Sequence, residues 1–451
     1  MIEFDNADAP VLNTMKRMYS KKYGLVDTMR NLELGFFSVT RNSNIYSVGS
    51  IIPMYRCVVA AKNAQYLIGN GASLSEKRSA VKAFGEFIER YCAMQFSEVL
   101  KSKLQKVSYN DLCKTGVALT DMKDYLTFEE TQYNLEAFPL ERYSRSDSIS
   151  WIQCINICDN TRTLVPVQKV LLIHPHVLQE KVYMLNTSTG LACGSTVSQA
   201  TFSAICEVIE RDSFMLTWLF KIPGVKIVMD EIQNRELQKL YAHICNYLSG
   251  EDSLHIYDIS QTSGVYTVLT VIRNDLPKAC GLVVSASAHV DPEIAILKSL
   301  EELCQTQSFL QASLVEFGTN KYFEMAPQDI DTLEKHALYY NTGIRSENLD
   351  FIDRGSKTVC ISQLIKSFQE LPAKGLDYIV ALFKKRELQI LISDLTTPDI
   401  EELGFSVIRA IVPEYLDLEV SHLARHSRSK RIDDYRRIYG EVLNDEPHPF
   451  P

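Results

Sequence analysis

The feature that most restricts how this chain can fold is a helix signature that occurs twice. Thr196-Val197-Ser198-Gln199 has the S/T-x-x-E/Q form of a capping box and opens a helix, on which Glu207, Glu210 and Arg211 follow at i, i+3 and i+4. Residues so spaced share one side of an α-helix, so two carboxylates and a guanidinium project together. The helix is otherwise apolar (Phe202, Ile205, Val208, Ile209, Phe214, Trp218). Its charged face therefore belongs in a partly buried cleft, where acids require a counter-charge. A small-residue loop, Gly190 to Ser195, precedes it. Unpaired backbone N–H groups and the macrodipole at a helix start favour an anion there.

The second copy is Glu86, Glu89 and Arg90, behind a loop read at Gly69-Asn70-Gly71-Ala72 and a capping box read at Ser73-Leu74-Ser75-Glu76. A weaker third unit runs from a strand-like Gly281 to Ala288 into Asp291-Pro292, an N-cap with proline at the first helical position, and then Glu302 and Gln305. Three strand–loop–helix units, each delivering an acid or amide to one point, imply pseudo-repeated subdomains around a shared cleft. A single E-x-x-E-R is ordinarily a solvated helix face or an intrahelical ion pair. Recurrence behind two glycine-bearing loops, on helices too apolar for simple exposure, favours a site.

Four carboxylates in a cleft of low dielectric demand cations. Hard oxygen ligands without His or Cys favour Mg2+, which takes phosphate oxygens for the rest of its shell. A nucleoside triphosphate with Mg2+ is the ligand this predicts, in a site lacking the G-x-x-x-x-G-K-[ST] loop and the protein-kinase signatures.

The net charge of -9 argues against non-specific nucleic-acid binding, which needs a basic footprint. Eleven scattered cysteines suit a reducing compartment, and the pair Cys154 and Cys158 has no second pair to complete a zinc site. The N-terminus carries no apolar signal region and no run is long enough to span a membrane, so a cytoplasmic protein is expected. Residues 1–45 read as a lead-in, 46–440 as one large mixed α/β domain, and 441–451 as a proline-rich tail. Strands are expected at Leu376 to Phe383, Leu388 to Ser393 and Phe405 to Val412, and a polar loop over 327–356. Cys193 and His289 read as packing residues, and the basic run from Arg425 to Arg437 as a solvated helix face. A lone Glu419-x-x-His422 match, without a four-helix pattern, is too little for a di-iron site.

Gly85 to Tyr91 (GEFIERY), the G-L-A-x-G-S-T…EVIERD series over 190–212, and E-L-x-Q at 302–305 resemble the YcaO superfamily over most of the chain. With Pro447, Pro449 and Pro451 as a terminal P-x-P-x-P, the likeness is to its azoline-forming branch, the cyclodehydratase D component that modifies ribosomally made peptides. The resemblance implies a mixed α/β fold of pseudo-repeated subdomains around one ATP cleft. It implies that Glu86, Glu89, Glu207 and Glu210 hold Mg2+ and that Arg211 contacts phosphate. Ser195, Gln199, Glu302, Gln305 and Lys82 would line the rest of the nucleotide pocket. The family often has Asn, Glu and Ser where this chain has Ser195, Gln199 and Lys82. The tail would deliver the carboxylate of Pro451 to the active site as a candidate catalytic base.

The function implied by the resemblance is ATP-dependent cyclisation of Cys, Ser or Thr in a precursor peptide, by phosphorylation of the amide oxygen. The expected partners are that peptide, an E1-like or leader-binding protein supplying what fused relatives carry in extra N-terminal residues, and a flavin-dependent azoline dehydrogenase; a homodimer is compatible with the resemblance. Two other readings are a non-catalytic nucleotide-binding scaffold and a thioamide-forming relative.

Overall fold

A computed structural model describes residues 8–18, 28–31, 54–60, 66–100, 104–172, 178–248, 250, 252–274, 280–317, 324–371 and 374–451. Three sheets and three long helices carry the architecture. Strands β1 (Thr28–Asn31), β2 (Met54–Ala60) and β3 (Tyr66–Ala72) form an antiparallel sheet, and helix α1 (Glu76–Leu100) packs along β3. Strands β4 (Gln105–Ser108), β5 (Ser148–Asn156), β6 (Thr161–Pro166) and β7 (Leu191–Gly194) join β13 (Leu391–Asp394) and β14 (Ser406–Ile411) in a second sheet, ordered β4-β5-β13-β14-β7 with β6 on β5. The third sheet runs β11-β10-β9-β8-β12, from β8 (Val225–Val228), β9 (Asp252–Asp258), β10 (Tyr266–Asn274), β11 (Leu282–His289) and β12 (Thr358–Cys360). It is antiparallel except where β12 joins β8.

Helix α2 (Val197–Leu219) lies between the second and third sheets, packing on β14 and β7 with one flank and on β11 and β10 with another. Burial from both sides explains why Ala204, Ile205, Ile209, Phe214, Met215, Leu216 and Trp218 are all inaccessible to solvent. Its start is as expected: Thr196 is the N-cap and its hydroxyl accepts the Gln199 N–H at 3.2 Å. The Gln199 side chain takes Ser195 N–H and Oγ–H rather than the N-cap N–H, so the box closes one residue early. Helix α4 (Pro292–Phe317), after α3 (Arg235–Tyr247), covers β10 and β11 and begins at Asp291, which accepts the Glu293 N–H.

Four expectations are corrected. Gly69 to Ala72 is not a loop but the second half of β3. A Cβ on Gly69 would lie 2.0 Å from the Ala83 carbonyl oxygen, and one on Gly71 2.2 Å from that of Ser79; the glycines admit the backbone of α1 onto the strand. The helix begins accordingly at Glu76, with Ser75 rather than Ser73 accepting the Arg78 N–H. Leu376–Lys385 is a helix, because Ile379 and Phe383 bury together one turn apart after Gly375. The stretch read as a polar loop contains the helix Leu333–Tyr340 and a 3-10 helix, Ser346–Asp353, with Tyr340, Leu349 and Phe351 in the core. The basic run is only partly solvated: Arg431 donates to the fully buried Asp212 at 2.5 Å. Residues 25–27 and 46–53, which also have strand character in sequence, lie outside the described residues.

Candidate active site

The two E-x-x-E-R motifs lie within reach of each other's charges, Glu207 acting on both Glu89 and Arg90, and hydrogen bonds fix each of them to the strands. In each motif the first acid holds its own unit. Glu86 accepts the Asn70 N–H of β3, and Glu207 accepts the Gly190 N–H at 3.1 Å. In each motif the second acid reaches the next unit. Glu89 accepts the Cys193 N–H of β7 at 2.8 Å, and Glu210 accepts the Ala288 N–H of β11 at 3.2 Å. Glu302, in the third unit, receives the Ser285 hydroxyl from its own strand at 3.5 Å. Gly190 needs its glycine for this: it has φ +79° and a Cβ there would sit 2.2 Å from the Ala410 oxygen.

Arginines of the same helices take the remaining oxygens. Arg90 pairs with Glu86 at 2.7 Å, and Arg211 lies 3.5 Å from Glu207 and 3.3 Å from Glu210. The Arg211 Nε faces Glu210 without hydrogen-bond geometry, and its buried Nη1 has no partner among the described residues. An orphaned guanidinium N–H beside a row of acids is a donor awaiting an anion.

Burial dominates the electrostatics. It pushes the Glu89 carboxyl well above the ordinary range, and Glu207 and Glu86 add to the effect against the Cys193 N–H. Burial likewise raises Glu207 and, further, Glu210, with Arg211 opposing both. Glu302 is exposed on α4, near the charges of Arg211 and Lys82. The acids lie close enough to raise one another, and Arg90, Arg211 and Arg409 oppose the effect.

Among the described residues no three His, Cys, Asp or Glu side chains gather closely enough to chelate a metal by themselves. The donor set nevertheless fits Mg2+. All four acids offer hard oxygens, and Mg2+ needs only one or two carboxylates when phosphate and water complete its shell.

The other expected pocket residues are spread out. Ser195 and Gln199 are exposed at the start of α2, hydrogen-bonded to each other at 2.7 Å. Gln305 is half-buried on α4, a turn beyond Glu302. Lys82 Nζ pairs with the buried Glu301 at 2.5 Å and ties α1 to α4. His289 receives the Asp291 N–H and packs edge-on against Phe202. Glu419 accepts the His426 N–H, apart from any His422 partnership.

One feature was not anticipated. Arg409, on β14, is fully buried with Nε and Nη1 unpartnered, between the charges of Asp417 and Glu207. A lone arginine inside the apolar strand Ser406–Ile411 is the sequence signal that marks it. The tail, expected at the active site, lies beside Arg211. Residues 447–450 are buried, and Phe450 lies against Arg211, the guanidinium carbon 4.5 Å from the ring centroid.

In this mixed α/β fold, helix-borne acids offer hard oxygens suited to a cation, and the unpartnered Nη1 of Arg211 offers a donor suited to an anion. Residues 70–416 match the YcaO cyclodehydratase family, ATP- and Mg2+-binding. The chain belongs to that family of ATP-dependent enzymes, and its cofactors are ATP and Mg2+. Among solved structures it resembles a heterocyclase in complex with substrate and cofactor, with TM-score 0.73 at 16% identity, covering 98% of this chain and 57% of that one. It also resembles YcaO from Methanopyrus kandleri bound with AMPPCP and Mg2+ (TM-score 0.60, 15% identity, 90% of each chain). A third likeness is to the E. coli microcin synthetase McbBCD complex with pro-MccB17 bound (TM-score 0.60, 14% identity, 96% of this chain and 98% of that one). At such identities the likeness is one of fold. No helix among the described residues is long and apolar enough to cross a membrane.

Proposed function

We propose that the chain is a peptide cyclodehydratase that closes thiazoline and (methyl)oxazoline rings at Cys, Ser or Thr of a precursor peptide, consuming ATP. The observation that carries this reading is that Glu89 and Glu210 hold the edge strands of two different sheets, β7 and β11, with Arg211 beside Glu210 and its Nη1 unpartnered. In the reaction the side-chain thiol or hydroxyl adds to the preceding amide carbon. The oxygen so formed attacks the γ-phosphorus of ATP, releasing ADP. The addition to the amide carbon closes the ring; loss of the amide proton and departure of phosphate, which carries away the former carbonyl oxygen, then form its C=N bond. Glu86, Glu89, Glu207 and Glu210 would hold Mg2+, which supplies charge neutralisation for the transferring phosphoryl group. Arg211 donates to the phosphate, and Glu302 and Gln305 face the nucleotide from α4.

The buried tail beside Arg211 favours azoline over thioamide chemistry, and a catalytic contribution from Pro451 belongs to the same proposal. Lys82 contributes indirectly, by fixing α1 against α4 through Glu301. The McbBCD likeness supports a peptide substrate and a separate leader-binding partner; a flavin-dependent dehydrogenase and a homodimer are further parts of the proposal.

The test is mass spectrometry of a precursor peptide incubated with the protein, partner and ATP. Each ring removes the mass of one water with one phosphate released, and Glu89→Gln and Glu210→Gln abolish both. Rings formed at the normal rate by both variants would overturn the site, and ATP turnover without any ring would overturn the reaction.

A further inference from the structure

We propose that Phe450 is a positioning residue for phosphoryl transfer, its ring setting the plane of the Arg211 guanidinium so that Nη1 points at the nucleotide. The proposal rests on Arg211 being the phosphate contact. The two carboxylates near Arg211 do not orient it firmly, since 3.5 Å and 3.3 Å are long for charge-assisted hydrogen bonds. The cation–π contact is with Phe450, 2% exposed, whose centroid lies 4.5 Å from the guanidinium carbon. That ring is itself wedged. Phe214, three residues after Arg211 on the same face of α2, meets it at 4.8 Å between centroids.

The segment before Phe450 is fixed at successive points. Trp218 Nε1 donates to the Glu446 carbonyl at 2.9 Å, and the Tyr340 hydroxyl to that of Pro447 at 2.6 Å. The His448 ring stacks on His336 at 3.8 Å and 8°, and His336 Nδ1 donates to the His448 carbonyl at 3.0 Å. Prolines at 447 and 449 narrow the backbone between these anchors. A segment held so tightly delivers one ring to one place, and that place is the face of Arg211.

The experiment measures kcat and KM for ATP in peptide-dependent phosphate release. Phe450→Leu, which keeps apolar bulk but has no π face, lowers kcat roughly 3- to 30-fold, the range of a cation–π contact, with KM for ATP little changed. Phe450→Tyr restores the rate. In an Arg211→Lys background Phe450→Leu has no additional effect, because the two residues act through one contact. Wild-type kcat in Phe450→Leu, failure of Phe450→Tyr to exceed it, or additive losses with Arg211→Lys would each overturn the proposal. Full activity of Glu210→Gln would instead strike at the functional reading beneath it.

Discussion

Glu89 of α1 accepts the backbone N–H of Cys193, in the strand that feeds α2, at 2.8 Å. The hydrogen bond makes the carboxylate a joint between two units as well as a proposed metal ligand, and the two roles separate by mutation. Glu89→Gln keeps an acceptor for Cys193, so the fold should hold, whereas Glu89→Ala leaves that N–H unsatisfied at a cost of about 1–3 kcal/mol. Thermal melts should place Gln near wild type and Ala clearly below it, while both lose ring formation by about 100-fold or more. A Gln variant with normal turnover would show the charge to be dispensable.

The raised carboxyls of Glu89, Glu207 and Glu210 set a sign for pH dependence. A folded-state pKa above the unfolded one means that the native state binds more protons between the two values. Stability therefore falls as pH rises through that window, from the ordinary carboxylate range upward. A bound cation reverses the preference by favouring the ionised acids. Mg2+ with AMPPCP should raise the melting temperature more at pH 8 than at pH 6, and calorimetry in buffers of different ionisation heat should detect proton release on binding. Proton uptake would contradict it.

The buried tail titrates in the opposite sense. Burial lowers His336 to about 3, and burial together with the charges of His336, His426 and Arg211 holds His448 well below its usual value. Neutral imidazoles that must charge on unfolding contribute stability at neutral pH that is lost as pH falls below about 6.5. Glu419 offers only its backbone carbonyl to His448, and His422 adds repulsion on the His336 side. Trp218 fluorescence in a Trp151→Phe background should report the tail loosening near pH 5, with the change suppressed in His448→Gln. A signal flat from pH 7 to pH 4.5 would refute this titration of the tail.

Gly69→Ala should destabilise by about 2–3 kcal/mol, because its Cβ would be driven into the backbone of α1 and overpacking has no side chain to move aside. Gly85→Ala, on α1 where a Cβ meets nothing within 4 Å, should be neutral or stabilising. Chemical denaturation of the pair tests the strand reading of Gly69 directly.

Much of the site was legible because it is written in local spacing. The i, i+3, i+4 acids, the Thr196 and Asp291 caps and the apolar flanks all follow from helix geometry. The errors arise where tertiary packing decides. Gly69 and Gly71 read as loop residues when no helix backbone is seen lying on them, and Leu376 to Phe383 is apolar enough for either period. The pairing of Lys82 with Glu301 on another helix has no local signal either. The tail's contacts with Tyr340, His336 and Trp218 join residues more than a hundred positions apart, beyond the reach of any local pattern.

Electron paramagnetic resonance of Mn2+ bound with AMPPCP tests the central claim most directly, by asking whether α1 and α2 share one metal–nucleotide. The account predicts that Glu89→Gln and Glu210→Gln, though on different helices, each weaken the same Mn2+ signal and the same nucleotide affinity at least tenfold. Unchanged metal and nucleotide binding in either folded variant would contradict it.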